Sequence, residues 1–190
     1  MIVYSYKKRK KQEKFPEDLC KQAAVAYANE KGREVAKGEF DIIERTKNGK
    51  PYFKNSDVCF SISHSDDLWI CAVGNVQVGI DIQFIKSVNA SVIAKRLFME
   101  DEISYVEENG EEGFFEIWVR KEAYVKYKGT GFAKEGFDTF SVLDSKKQMS
   151  EIIGEGEHAA CVTELEIAEN SKCVICSKIK EAVVVRELVK

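Results

Sequence analysis

The chain has 190 residues, 44% of them hydrophobic and 32% charged, with a formal net charge of −3. These are ordinary proportions for a globular protein with one core or two small ones. No apolar run is long enough to span a bilayer, and MIVYSYKKRKK places its charges after its apolar stretch, the reverse of a secretory signal. Two prolines and no low-complexity tract argue against a disordered linker.

In chain order, residues 2–6 (IVYSY) read as a short strand. Residues 7–11 (KKRKK) form a basic run, and residues 1–54 hold 14 Lys+Arg against 8 Asp+Glu, a net +6 that leaves −9 for the rest. Such a run is either a solvated loop or a docking surface for an anion or an acidic protein. With no interleaved aromatics in an acidic chain, nucleic acid is the weaker partner. Residues 17–31 predict a helix, with Asp18 as a cap and Gly32 just past its end. Residues 39–45 (EFDIIER) predict a strand, and Asn48 with Gly49 a turn. DVCFSISHS alternates, with Phe60, Ile62 and His64 on one side and Cys59, Ser61 and Ser63 on the other. LWICAVG predicts the next strand, and Gly74 with Asn75 a tight hairpin into residues 76–83, giving an antiparallel meander.

That last segment contains VGIDIQ. Val76, Val78, Ile80 and Ile82 alternate with Gln77, Gly79, Asp81 and Gln83, the pattern of a half-buried strand whose polar face carries Asp81 and Gln83 together. Gly79, on the same face, leaves room for a close approach. The second half turns helical, over residues 88–106 and most clearly over 113–128 (GFFEIWVRKEAYVKYK), closed by Gly129 and Gly131. FDTFSVL, HAACVTELEI and KCVICSK predict returning strands. Clustered rather than alternating elements make the class α+β.

Six cysteines are present, and only Cys173 and Cys176 have metal-like spacing. On a strand, residues three apart face opposite sides, and the two histidines, His64 and His158, supply no partner pair. The cysteines read as small core residues of a reducing compartment, the cytoplasm.

Trp118, Glu122 and Lys126 are each four apart and line one helical stripe. Taken alone, Glu122 and Lys126 are an exposed helical ion pair, as Asp81 alone is a polar strand face. Taken together, two carboxylates, a lysine and the polar Ser63 and His64 suit a Mg²⁺-bound polyphosphate.

FSISHS, VGIDIQ and WVRKEAYVKYKGTG resemble, in order and spacing, the phosphopantetheinyl transferases, and specifically the larger monomeric kind. The resemblance covers residues 49–131 well, with GID and WxxKEAxxK about 40 residues apart. It implies two pseudo-symmetric halves, each a small antiparallel sheet with a long helix, divided as residues 1–75 and 76–190, with coenzyme A in the cleft between them. It implies Mg²⁺-dependent transfer of the phosphopantetheine arm of coenzyme A to a serine of an acyl or peptidyl carrier protein. By position, Asp81 and Glu122 resemble the Mg²⁺ ligands and Lys126 the catalytic lysine. Ser63 and His64 resemble a loop that holds coenzyme A phosphates, and Lys50 in NGKPY a basic residue near the nucleotide. Gln83 stands where many relatives have a glutamate; its amide oxygen can ligate Mg²⁺ without charge. The basic segment before the first helix has no clear counterpart. These departures motivate the alternative of a binding module with degenerate catalysis.

Overall fold

In a computed structural model, residues 1–10, 12–131 and 136–188 are described. The architecture is α+β. A first sheet has the order β10–β1–β5–β4, built from β1 (Ile2–Lys7), β4 (Cys59–Ser65), β5 (Leu68–Gly74) and β10 (Val184–Glu187). A second has the order β6–β9–β8–β7, built from β6 (Val78–Phe84), β7 (Ile152–Ile153), β8 (Ala160–Glu164) and β9 (Ser171–Ser177). A separate two-stranded ribbon joins β2 (Ile43–Arg45) to β3 (Pro51–Phe53). The helices are α1 (Leu19–Glu30), α2 (Ala90–Leu97) and α3 (Glu100–Lys128). No described helix is long and apolar enough to cross a membrane.

The layers follow from alternation along the strands. Tyr4, Trp69, Cys71 and Val73 face α1, which answers with Leu19, Ala23, Ala24 and Tyr27. Val3, Leu68, Ile70 and Ala72 face the other way, against Val78, Ile80, Ile82, Cys173 and Ile175 of the second sheet. The far side of the second sheet, including Val162, Val174 and Cys176, lies under α2 and α3. LWICAVG is continuously apolar because β5 is buried on both faces. Cys173 and Cys176 belong to different cores on opposite faces of β9. All six cysteines are free thiols.

Several expectations are corrected. The meander does not form: both edges of β5 are occupied, by β1 and β4, so β6 leaves and pairs antiparallel with β9. The first sheet is not purely antiparallel, because β10 joins β1 in parallel. Only Ile43–Arg45 of residues 39–45 is strand; the buried Glu39 carboxylate accepts from Arg33 (2.7 Å), Ser56 (2.7 Å) and the Ala36 N–H (3.1 Å), which holds a turn. Asp18 sits at the N-cap but accepts from the Gln22 side chain rather than from a helix N–H. Residues 88–106 split at Phe98, and the chain restarts as α3 where the Met99 N–H reaches Glu102 (3.0 Å). Within α3, Gly110 (φ 62°, ψ −143°) breaks the helix, so residues 113–128 lie in its second arm.

FDTFSVL forms turns rather than a strand, because the backbone groups that would pair are otherwise engaged. Lys121 Nζ donates to the carbonyls of Phe137 (2.6 Å) and Phe140 (2.5 Å), and the Val142 N–H donates to Glu102 (2.8 Å). Lys121 and Glu102 also pair with each other at 2.8 Å, both side chains fully buried.

Candidate functional site

The site forms where β6, β4, the second arm of α3 and the ribbon tip converge. Gly79 makes the convergence possible. A Cβ there would run into the Ala123 carbonyl oxygen and the backbone nitrogen and Cα of Tyr127. Only a residue without a side chain lets α3 lie this close to β6. The close approach foreseen at Gly79 is made by the helix of the same chain. An aromatic cluster of Trp118 with Phe98, Phe114 and Phe137, centroids 5.4 to 6.5 Å apart, holds the rotation of this arm. Glu122 and Lys126 consequently lie beside Asp81.

Asp81 is 2% exposed, and its Oδ1 accepts from Lys126 Nζ (2.7 Å) and Ser63 Oγ (2.6 Å). Among the described residues Oδ2 accepts a single long contact, from the Gln83 amide nitrogen (3.5 Å), on the same strand face as expected. Glu122 is half-buried and receives no hydrogen bond among the described residues. Burial raises its carboxyl above the ordinary range, the neighbouring Asp81 charge adds to this, and Lys126 opposes it. An ammonium thus already stands on one carboxylate, while the second and the remaining Asp81 oxygen have no strong donor among the described residues. The carboxylate oxygens of Asp81 and Glu122 are hard donors of the kind that Mg²⁺ takes, while the Gln83 amide presents its nitrogen to Asp81 and its oxygen to Ser65.

Ser63 and His64 are not in a loop. Both lie on β4, where pairing with β5 at Ile70 and Trp69 holds them extended. They face opposite sides: Ser63 points inward to Asp81, while His64 is exposed and lies against Phe15, centroids 5.6 Å apart. Lys8 sits over the other part of this stack, 4.3 Å from the Phe15 centroid, which brings the basic segment to His64. Lys7 approaches Asp67 (3.8 Å) and Lys21 pairs with Asp41. Lys11 lies outside the described residues.

Lys50 stands at the ribbon tip, but its ammonium points into the protein. It donates to the Val78 and Tyr127 carbonyls, both at 2.9 Å. Gln77 also donates to Tyr127, so this last-turn carbonyl of α3 has two side-chain donors. Burial lowers the Lys50 pKa to about 8. The tip fits over the helix end because Gly129 (φ 68°) turns the chain left-handed beneath the Lys50 stem.

Between ribbon and helix lies a cavity of about 260 Å³, lined by Arg45, Lys50, Phe60, Ser61, Glu122 and Lys126, among others. It unites three of the expected residues; Asp81, Ser63, Gln83 and His64 are not in its wall. Arg45 and Ser61 were not anticipated. The signal for Arg45 was its place opposite Pro51 across the turn. The signal for Ser61 was the spacing of Ser61, Ser63 and Ser65, three hydroxyls on one strand face.

The 4'-phosphopantetheinyl transferase superfamily model matches residues 77–176, which contain Asp81, Glu122 and Lys126. The chain is 34% identical over 142 residues to the 4'-phosphopantetheinyl transferase gsp of Aneurinibacillus migulanus, covering 72% of this chain and 58% of that one. It is 34% identical over 128 residues to psf-1 of Bacillus pumilus (65% and 54% covered), and 31% identical over 161 residues to a 4'-phosphopantetheinyl transferase of Bacillus subtilis (82% and 68% covered). The matched region therefore spans a little over half the length of gsp and psf-1. With the family model matching more than half of its residues, this chain belongs to the 4'-phosphopantetheinyl transferase superfamily.

Proposed function

We propose that this protein transfers the 4'-phosphopantetheine arm of coenzyme A to a serine of an acyl or peptidyl carrier protein, acting as a cytoplasmic monomer. The observation that carries the reading is the meeting of Asp81 with Glu122 and Lys126 across the Gly79 contact. In this reading the chain divides into halves at residues 75 and 76, apart from β10, which returns to the first sheet beside β1, with coenzyme A between the halves.

Asp81 and Glu122, with Gln83, would hold Mg²⁺, which when bound neutralises charge on the pyrophosphate. Glu122, its basicity raised by burial, takes the proton of the carrier serine directly or through a water. The serine oxygen bonds to the phosphorus on the pantetheine side, the bond from that phosphorus to the bridging oxygen breaks, and adenosine 3',5'-bisphosphate leaves. Lys126 stabilises charge on the transferring or leaving phosphate. Lys50 organises the helix end and ribbon that wall the cavity, while His64 and the basic segment beside it suit a further phosphate.

The test is mass spectrometry of an apo carrier protein incubated with the protein, coenzyme A and Mg²⁺. A gain of one phosphopantetheine mass is expected, and it should vanish with Asp81→Ala or Glu122→Ala while both variants melt as folded proteins. Near-normal turnover in either variant would contradict the metal assignment. The second reading, a coenzyme A and carrier binding module with degenerate catalysis, draws on the neutral Gln83 beside Asp81. It predicts saturable coenzyme A binding with no mass gain.

A further inference from the structure

We infer that Ser63 is a positioning residue for Asp81 rather than a phosphate contact, an inference that rests on the metal role proposed for Asp81. Three serines of β4 share one face, and each accepts a backbone N–H from β6: Ser61 from Ile80 (3.1 Å), Ser63 from Ile82 (3.3 Å) and Ser65 from Phe84 (3.1 Å). Side-chain oxygens thus join two strands that belong to different sheets. What distinguishes Ser63 is its proton. A hydroxyl has one, and that of Ser63 goes to Asp81 Oδ1 at 2.6 Å in a buried position. Ser65 reaches only the Gln83 amide oxygen, at 3.5 Å.

The consequences follow from counting donors. A phosphate oxygen would need the same single proton, so Ser63 cannot serve a phosphate without releasing Asp81. With Ser63 and Lys126 both on Oδ1, the carboxylate plane is fixed and Oδ2 is the oxygen left for a cation. Ser63 in turn is fixed by Ile82 of the strand that carries Asp81, so the β4 sheet sets the orientation of a carboxylate on the other sheet. Partners that orient metal ligands in this way are typically worth about 10- to 100-fold in metal affinity.

The test titrates Mn²⁺ into the full chain with coenzyme A present and counts free Mn²⁺ by electron paramagnetic resonance. Coenzyme A affinity is measured separately by calorimetry in chelator. Ser63→Ala is expected to weaken Mn²⁺ retention about tenfold or more, with metal-free coenzyme A affinity unchanged and Ser63→Thr restoring retention. Ser61→Ala loses the neighbouring bond of the same strand junction but touches no carboxylate, so with coenzyme A kept saturating, because Ser61 lines the cavity, its Mn²⁺ retention should stay within about twofold of the unsubstituted protein. Should Ser63→Ala fail to fold, Ser63→Cys, close in volume and a weak donor, takes its place with the same expectation. Unchanged retention in the Ser63 variant, or an equal loss in Ser61→Ala, would overturn the inference. A drop in metal-free coenzyme A affinity would return Ser63 to the phosphates. If the unsubstituted protein retained no Mn²⁺, the metal reading itself would fall and this inference with it.

Discussion

Replacing Gly79 with alanine should uncouple the site without touching any of its side chains. The backbone of Gly79 does not lie in the left-handed region, so alanine brings no dihedral strain, and its smaller unfolded-state entropy favours folding by about 0.4–1 kcal/mol. The added Cβ, however, meets only backbone: the Ala123 carbonyl oxygen and Tyr127 nitrogen and Cα, with no flexible side chain to yield. Restoring ordinary contact requires α3 to retreat by well over an ångström, and overpacking of this kind costs about 1–3 kcal/mol, at the upper end where backbone must move. The steric cost therefore exceeds the entropic gain, with a net loss of about 2 kcal/mol, or about 4–8 °C in Tm for a domain of this size. The same retreat separates Lys126 from Asp81, now at 2.7 Å, and a misplacement of about 1 Å can cost on the order of 100-fold in rate. Thermal melts and carrier-loading kinetics on one preparation give both numbers. An alanine variant with unchanged Tm and unchanged loading would refute the argument that Gly79 brings the helix and strand motifs together.

Lys121→Met should destabilise the protein by about 3–5 kcal/mol in urea titrations, since it leaves the fully buried Glu102 without its cation. Lys50 titrates at about 8 when folded and near 10.5 when unfolded, so between these values the unfolded chain holds more protons and stability rises with pH. The unsubstituted protein should therefore gain on Lys50→Met between pH 8 and pH 10, and parallel pH–stability curves would refute that placement. Gln83→Glu should lower the Mg²⁺ concentration needed for half-maximal loading while reducing metal-free Tm, because it adds a third carboxylate to Asp81 and Glu122. Neutralising Lys7, Lys8, Arg9, Lys10 and Lys11 should weaken coenzyme A or carrier binding and flatten its salt dependence with saturated turnover nearly unchanged, as steady-state kinetics at two ionic strengths would measure.

What was legible in the sequence was local. Period-two alternation placed Asp81 and Gln83 on one strand face, and four-residue spacing placed Glu122 and Lys126 on one stripe, because both patterns are fixed by backbone geometry within one element. The strand partners were not legible. Nothing in LWICAVG or VGIDIQ says that β5 has no free edge, since that depends on β1 and β4 arriving from elsewhere in the chain. FDTFSVL has a strand's composition, and it fails as a strand because a lysine on α3 takes its carbonyls. Lys50 illustrates the same limit in reverse: its charge was read as facing a ligand, whereas the backbone carbonyls of β6 and α3 claim it.

Gly79 and Ser63 stand out in the sequence, but what each of them meets does not. A glycine on a polar strand face has many explanations, and only the passage of Ala123 and Tyr127 above it selects one. A serine in an alternating strand is ordinary until its hydroxyl is found between the Ile82 N–H and Asp81 Oδ1. Each fixes one coordinate of the site, Gly79 the height of α3 over β6 and Ser63 the orientation of the Asp81 carboxylate. The ionisable side chains bring charge, but charge alone at this spacing would equally describe a wet surface, where such a pair contributes a few tenths of a kcal/mol. The difference between that surface and this site is the 2% exposure of Asp81, under a helix that only a residue without a side chain lets so close.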